Sequence, residues 1–179
     1  AASQDYPNFS IIFIDAASTD GTYEKAVAYS SQFANIKCFQ NTTRKYQGEN
    51  IRNGVIQSPF ESIVITLDGD DWFPHNQVLS KVNSVYNETS CWLTYGRYVE
   101  HPYRDVSSYY NEYPLEVRRN KTFRKVGWQA SHLRTFRREL FLKIDPEDMK
   151  DPRTGDYVSV APDLSFQFPM LEMCGETKS

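Results

Sequence analysis

Ser62-Ile63-Val64-Ile65-Thr66-Leu67-Asp68-Gly69-Asp70-Asp71-Trp72 is a short, mainly apolar run that stops abruptly in three carboxylates. A run of this kind, without polar alternation, marks a strand covered on both faces, as in a parallel sheet. Ser10-Ile11-Ile12-Phe13-Ile14 repeats the pattern and also ends on an acid, Asp15. Between the two, Ser18-Thr19-Asp20-Gly21-Thr22 supplies helix-cap residues, and Tyr23, Ala26, Val27, Ser30 and Ala34 recur at helical spacing. Residues 36–39 read as a further strand and 49–57 as a helix. Strands alternate with helices, so the fold class is α/β, with a mainly parallel central sheet flanked by helices.

Working outward, Val78, Leu79, Val82 and Tyr86 predict a helix over 76–86, and 91–99 reads as a strand. The stretch 101–127 is polar, rich in Tyr and Arg, and holds Pro102 and Pro114, which predicts a long surface excursion. A short helix is expected over 137–144, turns over 145–156, and a last helix over 164–174 with Pro162 in its first turn. Pro169 is expected to kink or divide that helix.

A chain of 179 residues is the length of one ordinary domain, so 1–179 is expected to be a single unit. Charged residues are interspersed and the net charge is −3, which excludes the basic stripe of a nucleic-acid binder. No apolar run approaches the ~20 residues of a membrane span. Three cysteines, Cys38, Cys91 and Cys174, lie far apart with no CxxC pair, a pattern of neither a zinc site nor a disulfide framework, and fit a reducing, cytoplasmic setting.

Three carboxylates in the four residues Asp68 to Asp71 repel one another, and a divalent cation with hard oxygen ligands offsets that cost. An Asp-Gly turn closing a strand is the competing reading. Position favours the cation, because ligands of open α/β sheets sit beyond the carboxyl ends of the strands, where Asp15 also lies.

Taken together, Ser3-Gln4-Asp5-Tyr6-Pro7-Asn8-Phe9, Ile14-Asp15-Ala16-Ala17-Ser18-Thr19-Asp20-Gly21-Thr22, Arg52-Asn53-Gly54 and Leu67-Asp68-Gly69-Asp70-Asp71 resemble the successive blocks of family 2 glycosyltransferases, in order and at about the family spacing. Ala161-Pro162-Asp163-Leu164-Ser165-Phe166 is similar to a fifth block. The resemblance implies a GT-A fold, a nucleotide-diphosphate sugar donor, transfer with inversion, and Mn2+ or Mg2+ at the DxD motif. It makes Asp70 the principal metal ligand, with Asp68 on the metal or the donor ribose and Asp71 assisting. It sets Asp15 against the nucleotide, Arg52 toward the diphosphate or sugar, and Asp163 as the general base. Residues 1–99 become the donor half and 100–179 the acceptor half.

On the acceptor side, Trp128 is a candidate to stack on a sugar and His132 to reach a phosphate or metal, although each also reads as an ordinary core residue. Asp163 taken alone reads rather as a helix-start acid. Two departures from the family pattern stand out. Ala16 and Ala17 replace an acid and a glycine, which removes a contact to the donor base, and the family's opening strand and helix do not precede Ala1. The implied acceptor is a glycan, a lipid-linked sugar or a protein, with peripheral association at the cytoplasmic face of a membrane as one setting. The rival readings are a sugar-phosphate nucleotidyltransferase, which would need a Gly-rich phosphate loop, and a catalytically silent GT-A-like binding module.

Overall fold

The computed structural model describes residues 1–102 and 111–174. Strand β1 (Ile11–Asp15) leads into α1 (Thr22–Ser30), β2 (Ile36–Gln40), α2 (Gln47–Gln57), β3 (Ile63–Thr66), α3 (Val78–Glu88) and β4 (Leu93–Gly96), so the alternation expected from sequence is present throughout this half. Then come α4 (Leu115–Asn120), α5 (Phe123–Val126), β5 (Ser131–Arg137), α6 (Arg138–Phe141), a 3-10 turn at Pro146–Met149 and α7 (Asp163–Cys174). Gly21 opens α1 at φ 82°, a backbone state that costs glycine little and other residues more.

β1 and β2 pair in parallel, Ile11 opposite Ile36 and Asp15 opposite Gln40. β3 and β4 are both antiparallel to β5, which lies between them, and so run in the same direction as each other. The fold is thus mixed α/β with a small central sheet. Its strands β3 and β4 keep the common direction expected of a parallel sheet, but the hydrogen bonds between them pass through β5.

Three expectations change here. Residues 131–137 form β5, whereas the helix expected from Arg137 begins at Arg138 and is brief. Ser-His-Leu-Arg-Thr-Phe-Arg lacks an apolar run because two of its polar side chains are buried through long-range partners. The excursion over 101–127 contains α4 and α5, and Tyr113, Val117 and Phe123 in it are core residues; its part at 103–110 lies outside the described residues. Pro169 does not divide α7, which runs on through it. The buried side chains Phe166, Phe168, Met170, Leu171 and Cys174 hold that helix by packing, which outweighs one lost backbone hydrogen bond.

Most of the core lies between the small sheet and α7. Phe136 of β5 stacks on Phe141 at 5.4 Å, and Phe166 of α7 tilts against both at 6.4 and 5.7 Å. Each such buried ring contributes roughly 1.5–3 kcal/mol through area removed from water. Arg137 continues β5 with its guanidinium over the Tyr86 ring, while Tyr86, Thr135 and Thr94 share a buried hydroxyl chain of 2.9 and 2.6 Å. Among the described residues no helix is long and apolar enough to cross a membrane.

Candidate active site

The loop leaving β3 carries the acids, and β5 runs beside it, with Thr66 opposite Arg134. This pairing brings His132 to Asp68 and Asp71, 64 and 61 positions away in sequence: Nε2 lies 3.3 Å from Asp68 Oδ2 and 3.9 Å from Asp71 Oδ2. One ligand atom from each of Asp68, Asp71 and His132 falls within a 4.8 Å span. Gln47, at the start of α2, donates to Asp68 Oδ1 at 2.8 Å. The hydrogen bond with His132 holds the Asp68 carboxyl below its usual pKa against the opposing effect of burial, with the Arg134 charge and Gln47 adding to it.

Gly96 lets β4 approach closely enough to seat this histidine. A Cβ there would stand 3.0 Å from the His132 carbonyl oxygen, at the point where the β4–β5 register shifts.

Arg134 ties the group to α7. It is 4% exposed, its Nη1 donates to Asp163 Oδ2, its Nη2 bonds His132 Nε2, and Nη2 also lies 3.8 Å from Asp68 Oδ2. Its Nε has no hydrogen-bond partner among the described residues. A guanidinium buried this deeply is stable only beside carboxylates, and its rigid fork fixes where they stand. Arg134 was not singled out in the sequence, since an Arg in a polar stretch carries no signal until its partner 29 residues later is known.

Asp15 ends β1 and is 3% exposed, accepting from Ser18 N at 2.8 Å and Gln40 Nε2 at 3.4 Å. Hydrogen bonding from Ser18 keeps its carboxyl below the usual range. Asp70 is exposed on the turn and stands outside the Asp68–Asp71–His132 group. Arg52 is half-buried on α2, with Nη1 enclosed and lacking a hydrogen-bond partner, and no described bond joins it to the acids. Trp128 packs edge-on against Phe168 at 5.5 Å and belongs to the core margin. Asp163 is the first residue of α7, as expected. The structure therefore brings Asp68, Asp71 and His132 together, joins them to Asp163 through Arg134, and leaves Asp15, Arg52, Asp70 and Trp128 outside that constellation.

The donor set fits a divalent cation. Ser131 Oγ lies 3.5 Å from His132 Nδ1. With the ring proton moved to Nδ1, where Ser131 Oγ can accept it, Nε2 would give up its hydrogen bond to Asp68 and offer its lone pair to a cation shared with the two carboxylates. Two carboxylates and an imidazole are ligands suited to a hard or borderline metal.

The chain matches the family described as Glycosyl transferase family 2 over residues 1–145. No curated protein matches it. Among solved structures it is similar to TarS 1–349 of S. aureus, at 20% identity and a TM-score of 0.64, covering 97% of this chain and 49% of that one. It is also similar to the mannosyltransferase PcManGT from Pyrobaculum calidifontis in complex with GDP-Man and Mn2+, at 19% identity and a TM-score of 0.56, covering 79% of this chain and 39% of that one. The chain thus spans about half the length of the first and less of the second.

Proposed function

The chain belongs to glycosyltransferase family 2, and from that premise we propose that it moves a sugar from a nucleotide-diphosphate donor to an acceptor hydroxyl, with inversion at the anomeric carbon. The observation that carries the reading is the convergence of Asp68, Asp71 and His132 at the end of β3, joined to Asp163 through Arg134. Asp68, Asp71 and His132 would hold Mn2+ or Mg2+, which when bound would supply positive charge to the departing diphosphate. The GDP-Man and Mn2+ in the P. calidifontis enzyme support both halves of that assignment.

Asp163 takes the acceptor proton on Oδ1, the oxygen opposite the one that Arg134 holds. The acceptor oxygen then forms its bond to the anomeric carbon as the bond to the diphosphate oxygen breaks on the other face, and the electron pair leaves with the diphosphate. Asp15 lies against the nucleotide, Arg52 serves the diphosphate or the sugar, and residues 1–99 serve mainly the donor while 100–179 serve mainly the acceptor. Because Ala16 offers no carboxylate to a base, donor choice is not restricted to uridine.

The test uses calorimetry with Mn2+ and a panel of nucleotide-diphosphate sugars, followed by transfer assays. Asp71→Asn and His132→Ala should remove metal-dependent nucleotide binding. Asp163→Asn should leave binding intact and lower turnover by at least the ~10²-fold expected on losing a general base. Equal metal dependence in wild type and Asp71→Asn would overturn the metal assignment, and full turnover in Asp163→Asn would overturn the base.

A further inference from the structure

The tryptophan that stands open beside the acids is Trp72. It is 62% exposed, whereas Trp128 is committed to Phe168 and the core margin. One exposed aromatic is ordinary on a protein surface, as Phe60 at 75% exposure shows; what marks Trp72 is its place beside the acids and the ring it meets there. Trp72 follows Asp71 directly, so its backbone is one residue from a member of the Asp68–Asp71–His132 group. The ring of His101, itself exposed, meets Trp72 nearly edge-on, with centroids 5.2 Å apart and planes at 73°. Tyr98 makes a similar contact with His132 at 6.0 Å and 75°, so aromatic rings border the acid group on this side.

We propose that Trp72 and His101 form a platform for a sugar ring of the acceptor, a reading that rests on the glycosyltransferase assignment above. A pyranose has an apolar C–H face and a rim of hydroxyls; the indole matches the first, and the imidazole edge offers a hydrogen-bonding partner to the second.

The order of groups along the crevice favours the acceptor over the donor sugar. Gln40 bonds Asp15 and Gln47 bonds Asp68, so residues 40–47 mark the way from the nucleotide end to the diphosphate end. Trp72 continues past Asp71, and His101 comes from the segment after β4, the strand on the far side of β5 from β3. The platform therefore draws one of its two rings from a segment that carries none of the groups assigned to the donor. Its openness suits a ligand that extends away from the crevice, as a glycan chain does.

The experiment follows the fluorescence of the full chain during titration with maltotriose, cellotriose and chitotriose, with Mn2+ and nucleotide binding measured separately by calorimetry. At least one trisaccharide should quench and blue-shift the emission of the wild type. Trp72→Ala should abolish that response and weaken binding about tenfold or more, while Trp72→Phe retains part of it. Metal and nucleotide affinities should be the same in all three proteins. No response to any of the trisaccharides, an unchanged affinity in Trp72→Ala, or a fall in nucleotide-sugar affinity matching the fall in trisaccharide affinity would each overturn the platform. Loss of metal-dependent nucleotide binding in the wild type itself would instead overturn the glycosyltransferase reading on which it rests.

Discussion

The segment β1–α1–β2 and the segment β5–α6–α7 both border the candidate site, yet they are built very differently. Helix α1 buries no residue, and in β1 only Asp15 is buried. In the second segment Phe136, Phe141, Phe166, Met170 and Leu171 are almost wholly enclosed. The side bearing His132, Arg134 and Asp163 is thus anchored in the core, while the side bearing Asp15 rests on local hydrogen bonds. Groups whose positions must be held before a ligand arrives stand on the well-packed elements. The Asp15 side has few buried apolar residues to resist local opening, the property that makes a region exchange hydrogen readily.

The largest test of this contrast replaces one aromatic on each side. Phe136→Ala should destabilise by about 3–5 kcal/mol, because it empties a stacked cluster, whereas Tyr29→Ala on α1, 51% exposed, should cost less than about 1 kcal/mol. Urea unfolding of the two variants measures both, and equal losses would break the comparison.

Arg134 sharpens it next. Arg134→Met should cut turnover about 10²-fold through misplacement of Asp163, and Arg134→Lys should recover part of the loss because it restores charge but not the fork. Because Arg134 also meets His132 and Asp68, Mn2+ affinity should shift as well, while donor KM at saturating Mn2+ should change less than kcat. A purely structural role would lower folded fraction without this split or rescue.

A smaller effect comes from alkali. Burial pushes Tyr113 up to about 12, and Tyr86 and Tyr95 shift in the same direction, while exposed tyrosines in the unfolded chain ionise near the ordinary 10. The stability this represents is fully present below pH ~10 and is lost as pH rises toward 12, since only the unfolded state has released its protons. Thermal melts from pH 8 to 12 should show that decline, and Tyr113→Phe should make it shallower. Smallest of all, Ala17 holds φ 66° on the lightly packed side, where the family pattern has glycine. Ala17→Gly should raise stability by no more than about 1 kcal/mol, as relief of left-handed strain exceeds the entropy glycine adds to the unfolded chain.

What could be read in the sequence divides along the same line. β1 and β3, with acids at their ends, were legible because each is a local apolar run. β5 was not, since its burial depends on partners far away: Arg134 on Asp163, Thr135 on Tyr86 and Thr94. α4 and α5 were obscured by charged residues between their few inward positions. At the acids, sequence marked out the stretch 68–71 but favoured Asp70, and whether Asp70 or Asp71 faces His132 is decided by the turn after Asp68, whose carbonyl accepts from Asp71 N at 3.1 Å. The DxD spacing carries no information about that turn. The sequence marks His132 as a candidate to reach a phosphate or metal, and the β3–β5 pairing carries it to the acids.

The pairing of β5 with α7 also bears on which length changes this chain tolerates. Arg134 meets Asp163 while Phe136, two residues on, meets Phe166, three residues on, so a single alignment of strand and helix serves an ion pair and an aromatic contact together. Side chains alternate along a strand, and a slip of one residue reverses which face each presents. A one-residue slip of 131–137 would therefore withdraw His132 and Arg134 from the acids and Phe136 from its stack in the same event, and a one-residue insertion or deletion inside it would set one part out of register with the other. Loops elsewhere can lengthen or shorten gradually, but this strand can change length only by failing in chemistry and in folding at once.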